Sequence, residues 1–280
     1  MRKVCVITGG YGGMGHASAL SLGEEYFLLV SGRDVVKLES EVRELTRLGF
    51  DVEGVRADVR DEQDVRSLAR RAQALGEVAC VIHTAGVSPA DSVATDIVST
   101  NAVGTVNMVK SFSPVLSEGG VMINFASMAA YSMEPTQEWL DAFAQWDSPA
   151  FFDAMMGRVG EDDGCEDSFF RDGIAYSMSK RFVLFFTQIN TERFARRGCR
   201  ILSISPGCYL TPMHEKLIAN QPDVAENQLE LIPEGRWGHP YEIGSLVRFL
   251  CDSAAAYITG VDILADGGST AEVFVPQIES

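Results

Sequence analysis

No apolar run in this chain approaches the roughly 20 residues needed to cross a bilayer, although 46% of its 280 residues are hydrophobic. A membrane-spanning role is therefore not expected. The start, Met1-Arg2-Lys3-Val4-Cys5-Val6-Ile7, reaches Thr8-Gly9-Gly10 too soon for the apolar core of a signal peptide. The sequence reads as a soluble, cytoplasmic protein. Paired cysteines are also missing: Cys5, Cys80, Cys165, Cys199, Cys208 and Cys251 show no Cys-x-x-Cys spacing. Reduced thiols are expected rather than a disulfide or zinc framework. Histidine is scarce, and His16, His83, His214 and His239 are dispersed, so no metal site is expected. Basic residues are in deficit, 23 against 39 acidic, for a formal charge of −16. That balance argues against nucleic acid or an anionic membrane as a partner. With no repeat, linker or low-complexity stretch, residues 1–280 read as one domain.

What the chain does contain is an alternation of apolar runs and amphipathic stretches. Val4–Ile7, Phe27–Val30, Val52–Val55, Ala79–His83, Val121–Ala126, Ile201–Ser205 and Asp262–Leu264 read as strands. Their continuous Val/Ile/Leu character is that of a parallel sheet buried on both faces. Helical periodicity falls between them, at Val35–Leu48, Glu62–Leu75, Val98–Leu116, Tyr176–Ala195 and Tyr241–Cys251. This βαβ rhythm predicts an α/β, doubly wound, Rossmann-like parallel sheet with ligands at the strands' carboxyl ends.

The first strand runs into Thr8-Gly9-Gly10-Tyr11-Gly12-Gly13-Met14-Gly15, followed by a helix pattern. Glycines at 9, 13 and 15 let the backbone turn tightly and approach a pyrophosphate, which then rests on a helix N-terminus. The second strand ends in Val30-Ser31-Gly32-Arg33-Asp34. An NAD enzyme usually places a carboxylate there for the ribose hydroxyls, but this chain has Gly32 and then Arg33. The Arg33 guanidinium suits a 2′-phosphate, so NADP(H) is preferred. NAD(H) stays possible because Asp34 could hold a ribose.

Tyr176 and Lys180 stand four apart in Tyr-Ser-Met-Ser-Lys, one face of a helix. A fixed ammonium under a phenol favours phenolate and makes the tyrosine a proton-transfer group. Ser127 closes a strand-like segment upstream. Together, the glycine turn, Ser127 and Tyr176-x-x-x-Lys180 resemble the short-chain dehydrogenase/reductase family, over nearly the whole chain. Other pieces are similar to that family's pattern. Ala57-Asp58-Val59 resembles its adenine-contacting pair. His83-Thr84-Ala85-Gly86 stands where Asn-Asn-Ala-Gly is usual, a departure expected to affect strand support or cofactor affinity. Thr100-Asn101 supplies its helix asparagine. Ser205-Pro206-Gly207-Cys208-Tyr209-Leu210-Thr211 resembles its Pro-Gly turn, with Thr211 toward the nicotinamide carboxamide. Gly260 and Asp266-Gly267-Gly268 match its C-terminal signature.

The resemblance implies a catalytic set of Asn101, Ser127, Tyr176 and Lys180. Ser127 would stabilise charge on the substrate oxygen, and Tyr176 would move its proton during hydride transfer. Lys180 would lower the Tyr176 pKa and hold the nicotinamide ribose, and Asn101 would anchor a water linking Lys180 to solvent. The implied cofactor set is Thr8, Gly9, Tyr11, Gly13, Met14, Gly15, Ser31, Arg33, Asp58, Val59, Ala85, Gly86, Asn101, Tyr176, Lys180, Pro206, Gly207 and Thr211. A homotetramer or homodimer is implied too, through pairing of the helices at 98–116 and 176–195.

One departure should carry specificity. Ser127 and Tyr176 are 49 positions apart, against a short connector in the family. Residues 133–172 hold 11 acidic and 2 basic residues, and aromatics including Trp139, Phe143, Trp146, Phe151, Phe152, Phe169 and Phe170. Trp139, Phe143 and Trp146 fit one helical stripe. Pro135 suits its first turn, Pro149 breaks it, a second helix spans 150–159, and 160–167 is an acidic loop. The insertion is a lid over a bulky substrate, a subunit contact, or a satellite core on its own domain. A comparable insertion occurs in bacterial 3α-hydroxysteroid dehydrogenase/carbonyl reductases of the family. Residues 208–237, with Met213, Leu217, Ile218, Leu229, Leu231 and Ile232, form a substrate loop, mobile or docked as a helix. Lys216 and Arg236 are too few cations for a phosphorylated or CoA-linked substrate. The reading is an NADP(H)-dependent oxidoreductase of a secondary alcohol or ketone, with a hydrophobic, steroid-like or bile-acid-like substrate. The alternatives are a reductase of smaller carbonyls or sugar-derived ketones, and a non-catalytic NADP-binding redox sensor.

Overall fold

The computed structural model describes residues 2–160, 168–220 and 222–271, without the side chains at 168, 169, 213, 216, 217 and 220. β1 (Lys3–Thr8), α1 (Gly13–Leu22), β2 (Phe27–Gly32), α2 (Val35–Arg47) and β3 (Val52–Arg56) come first. α3 (Glu62–Leu75) and β4 (Glu77–His83) follow. Next come α4 (Ala94–Ile97), a π-helical turn (Val98–Val103), α5 (Gly104–Phe112) and β5 (Leu116–Phe125). A 3-10 turn (Met128–Tyr131) opens onto α6 (Gln137–Phe143), α7 (Phe151–Val159), α8 (Ser168–Ile189) and α9 (Thr191–Ala195). After them run β6 (Arg200–Pro206), α10 (Pro212–Asn220), α11 (Pro222–Glu230), α12 (Pro240–Cys251) and β7 (Asp262–Ala265).

All seven strands are parallel, in the order β3-β2-β1-β4-β5-β6-β7. This is one Rossmann-like domain. The order reverses between β1 and β4, where the strands' carboxyl ends leave a crevice. Period-2 alternation splits the core. Val4 and Val6 of β1 join Phe112, Phe182 and Phe186 on one face, whereas Cys5 and Ile7 join Leu22, Leu45 and Leu250 on the other. Side-chain caps start the helices: Asp34 accepts from Lys37 N at 3.0 Å for α2, and Asp61 from Gln63 N at 2.7 Å for α3. No helix among the described residues is long and apolar enough to cross a membrane.

Three stretches differ from the periodicity reading. The helix expected over 98–116 is α4, the π-turn and α5, and it stops at Phe112 before Pro114. β5 begins earlier than residue 121, passing through Gly119 at φ 80°. The helix expected from Tyr176 begins two turns sooner, at Ser168, and runs through Gly173.

The insertion does contain two helices. Pro135 lies outside the first, since Thr136 is the N-cap, accepting from Trp139 N at 3.2 Å. Its aromatic stripe turns inward. The Phe143 ring meets Phe182 edge-on at 5.4 Å, Phe151 lies 4.9 Å from Phe182, and Trp146, past the end of α6, lies 5.0 Å from Phe186. Trp139, Phe143, Phe151 and Met155 are thus part of the domain's core. Phe170 remains exposed, and Phe152 and Met156 are half-buried. Residues 161–167 of the expected acidic loop, and the Phe169 side chain, lie outside the described residues.

The expected substrate loop contains α10 and α11. Ile232 is buried and Leu231 exposed. The Met213, Lys216 and Leu217 side chains lie outside the described residues.

Candidate active site

At the crevice, β1 and β4 approach so closely that side chains are excluded. Gly9 has φ 65°, and a Cβ there would stand 2.9 Å from the Ala85 backbone. A Cβ on Gly15 would strike the Gly9 carbonyl, and one on Gly13 would strike the Thr211 methyl. Gly13, Met14 and Gly15 form the first turn of α1. His83 explains its own departure from the family pattern. Its Nδ1 pairs with Thr8 Oγ1 at 2.8 Å and its Nε2 with Thr105 Oγ1 at 3.3 Å. It therefore braces the β1 end against β4 and α5. Burial first, then the Lys180 charge, pulls the His83 pKa down to about 3, so the ring is neutral.

Thr8, Gly9, Tyr11, Ser31, Arg33, Val59, Ala85 and Gly86 line one cleft, together with Gly32, Ala57 and Thr100. Arg33 makes no hydrogen bond or ion pair among the described residues. Asp34 is committed elsewhere, its carboxylate capping α2 and its N–H donating to the Tyr11 hydroxyl at 3.2 Å. Asp58 does not line the cleft with its neighbours. Burial works against its ionisation, but hydrogen bonds and charge from Arg60, 2.7 Å away, hold its carboxyl below the usual range. The Ser31 and Thr100 hydroxyls are buried with no hydrogen-bond partner among the described residues. Sequence reasoning missed Thr100, because nothing local shows that the π-turn carries it into the cleft.

The four expected catalytic residues come together beside this cleft. Asn101, in the π-turn, accepts from Val87 N at 3.0 Å, donates to Val87 O at 3.0 Å, and donates to Ser179 Oγ at 3.2 Å. It clamps the segment after Gly86 to α8. A Cβ on Gly86 would lie 3.2 Å from both Asn101 Oδ1 and Lys180 Nζ. Lys180 is buried; its Nζ donates to Phe125 O at 3.0 Å and lies 5.8 Å from the Tyr176 ring centre. Burial lowers the Lys180 pKa to about 8.

Ser127 follows β5, its Oγ accepting from Ala129 N at 3.2 Å on the side of the Tyr176 phenol. Burial pushes that phenol above its ordinary range, the nearby Ser127 hydroxyl opposes the rise, and the Cys208 thiol adds to it. On the far wall, Pro206 ends β6 and Gly207 abuts Asp266, where a Cβ would stand 2.6 Å from Cα. Thr211 precedes α10, its hydroxyl accepting from His214 N at 3.3 Å while its methyl faces Gly13. Elsewhere, His16, Glu41 and Glu44 bring three ligand-type groups together. A 2.8 Å hydrogen bond between His16 Nδ1 and Glu41 Oε1 joins α1 to α2 there.

Comparison with known proteins agrees with this architecture. A family model described as short chain dehydrogenase matches residues 3–139, and one described as enoyl-(acyl carrier protein) reductase matches residues 165–270. Residues 140–164, within the insertion, fall in neither. The chain is 30% identical over 277 residues to the short-chain dehydrogenase/reductase bsc3 of Alternaria brassicicola, covering 97% of each. It is 26% identical over 280 residues to the 3-oxoacyl-[acyl-carrier-protein] reductase FabG of Thermotoga maritima, covering 95% of this chain and 97% of that one. Its fold is similar to a crystal structure of actinorhodin polyketide ketoreductase with NADPH. The TM-score is 0.72 at 23% identity, over 96% of this chain and 97% of that one. Two family models spanning most of the length and a relative alike along 97% of both sequences lead to one conclusion: the chain belongs to the short-chain dehydrogenase/reductase family of oxidoreductases.

Proposed function

We propose that the protein is an NADP(H)-dependent oxidoreductase interconverting a secondary alcohol and a ketone. The observation that carries this is the convergence of Ser127, Tyr176 and Lys180 at the edge of the crevice, where the buried Lys180 ammonium lies 5.8 Å from the Tyr176 ring centre and donates to the Phe125 carbonyl, two residues before Ser127. Tyr176 gives or takes the hydroxyl proton, and Ser127 holds the substrate oxygen and the charge that develops on it. Lys180 places a positive charge beneath the phenol, and Asn101 fixes the π-turn against α8 so that these groups keep their spacing.

The residues of the cleft fit a dinucleotide. Gly9, Gly13 and Gly15 admit its pyrophosphate, and the Ser31 and Thr100 hydroxyls supply unspent hydrogen bonds. When bound, it supplies or accepts the hydride. Arg33, with no hydrogen bond or ion pair among the described residues, is a cation at the position that reads a 2′-phosphate, and Asp34 is occupied by its cap. Both favour NADP(H) over NAD(H). The NADPH complex of a structurally similar ketoreductase supports the same choice.

The substrate in this reading is hydrophobic and uncharged, steroid-like in size. The chain has 39 acidic residues against 23 basic ones, and 11 of the acidic ones lie within 133–172. A phosphorylated, CoA-linked or acidic carrier-bound substrate would meet repulsion there. Exposed Phe170 and Met133 offer apolar surface on the insertion and its borders. A smaller carbonyl is the alternative, favoured by the inward packing of Trp139 and Phe143. NADPH and NADH oxidation, and the reverse, should be followed with keto- and hydroxysteroids and small ketones, using wild type and Tyr176→Phe. Regiospecific steroid turnover with NADP(H), lost in the variant, is expected. Turnover of small carbonyls alone sinks the steroid assignment. A Tyr176→Phe protein as active as wild type sinks the mechanism.

A further inference from the structure

Asp172 is a carboxylate kept out of water, 8% exposed, on α8. It stands one helical turn before Tyr176 and two before Lys180, so the three share one face of the helix. Its Oδ1 accepts from the Ala94 N–H at 2.7 Å, across 78 positions of the chain. Ala94 is the first residue of α4, and the cap position before it holds Val93, which has no side-chain acceptor. A serine or aspartate at 93 would cap that helix locally. Here the cap comes from the helix that carries the proton-transfer pair. A buried carboxylate is spent on a long-range tie where a local one would serve.

What the tie holds is the strap of residues 88–93, between the dinucleotide cleft and α4. Gly86 lines that cleft, and a Cβ on it would lie 3.2 Å from Lys180 Nζ. Asn101 grips Val87 through its N–H and its carbonyl, both at 3.0 Å. The chain then makes a turn, closed by the Asp91 N–H on the Ser88 carbonyl at 3.1 Å, and lands on Asp172 through Ala94. It sets out beside Lys180 and arrives beside Asp172, and Tyr176 lies between these two on the same helix face. The strap therefore flanks Tyr176. We propose that Asp172 is a positioning residue for the substrate, pinning residues 88–93 as a side wall of the substrate site. Asp172 is also the last residue of the 133–172 insertion, and α4 packs on both α7 and α8. The insertion thereby reaches the site through its final residue. This assignment rests on the oxidoreductase reading above and adds to it a residue that sets substrate fit without touching the substrate.

Asp172→Ala removes the acceptor, and Asp172→Asn keeps an oxygen for the Ala94 N–H. Two measurements test the wall: amide hydrogen exchange without substrate, and NADPH-dependent reduction of dihydrotestosterone and of cyclohexanone. In Asp172→Ala, exchange should quicken across 88–97, and KM for the ketone should rise about three- to tenfold, the range of one net hydrogen bond. The turnover number and NADPH affinity should stay near wild type, and Asp172→Asn should restore both exchange and KM. Should Asp172→Ala not fold, Ala94→Pro withdraws the donor instead, at a first helical position that proline suits and after a residue already extended at φ −88°. It should raise KM by the same factor. A lower turnover number at unchanged KM would mean that Asp172 acts on Tyr176 itself, which overturns the wall. An equal loss of NADPH affinity would place its effect in the dinucleotide cleft and overturns it too. Quickened exchange with KM and turnover unchanged makes the tie purely structural, overturning the assignment while leaving the oxidoreductase reading intact. A wild-type protein that reduces no ketone overturns both.

Discussion

The Lys180 ammonium donates to the main-chain carbonyl of Phe125 at 3.0 Å, two residues before Ser127. One side chain thus ties α8, which carries Tyr176, to the end of the strand that presents Ser127. The bond also sets a tension between stability and function, because a buried lysine is held where the fold would favour a neutral group.

Replacing Lys180 with Met should abolish turnover and yet stabilise the protein at neutral pH. The native pKa is about 8 against an ordinary 10.5, so below pH 8 the fold carries a buried charge. Between about 8 and 10.5 the unfolded chain holds a proton that the native protein has released, and stability rises with pH. The cost, on the order of 3 kcal/mol below pH 8, disappears above 10.5. Chemical denaturation of wild type and Lys180→Met from pH 7 to 10.5 checks this. The curves should converge as pH rises.

His83 should make the protein acid-sensitive. Its native pKa is about 3 against an ordinary 6.5, so between those values the unfolded chain binds a proton that the native ring refuses. Stability therefore falls as pH drops below 6.5, by roughly 2–3 kcal/mol at pH 4.5. His83→Asn, the residue usual in the family pattern, should flatten that part of the profile in urea melts. A variant with an unchanged acid limb would show that other groups dominate it.

Arg33→Ser should separate the two dinucleotides. Losing a charge-assisted contact of about 1.5–3 kcal/mol predicts roughly 10- to 100-fold weaker NADPH binding, with NADH nearly unaffected. Fluorescence titration of both cofactors reads the ratio directly. Equal losses would place Arg33 outside the 2′-phosphate contact.

Phe143→Ala should destabilise the whole domain. The ring is fully buried and packs edge-on to Phe182 of α8, 5.4 Å away. Truncating such a ring costs about 3–5 kcal/mol, a fall in melting temperature on the order of 10 °C for a chain of this size. Melting by circular dichroism tests it. A near-neutral change would mean the insertion is a loosely attached lid rather than part of the core.

Much of this was legible without coordinates. Buried parallel strands are nearly continuous runs of Val, Ile and Leu, so the inner strands are visible from the chain alone, and the partly buried β3 and β7 are shorter runs at the sheet's edges. The extension of β5 back to Leu116 was not, because Gly119 and Gly120 break the apolar pattern while β4 still pairs with residue 116. The two helices of the insertion follow from Thr136, Pro149 and the aromatic spacing. The direction they face does not. A stripe of Trp139 and Phe143 suits a lid, a subunit contact or a core equally well, and only packing against Phe182 and Phe186 decides among them.

The sequence by itself determined the elements, the sheet class and the family, because strand burial, the glycine turn and Tyr176-x-x-x-Lys180 are local patterns with local causes. Tertiary structure decided which groups meet. The π-turn brings Thr100 to the cleft and Asn101 to Ser179, Arg60 occupies Asp58, Asp34 is committed to its helix, and His83 bridges Thr8 and Thr105. Each of these depends on residues far apart in the chain. Their energies arise from burial and hydrogen-bond satisfaction, which no spacing rule encodes.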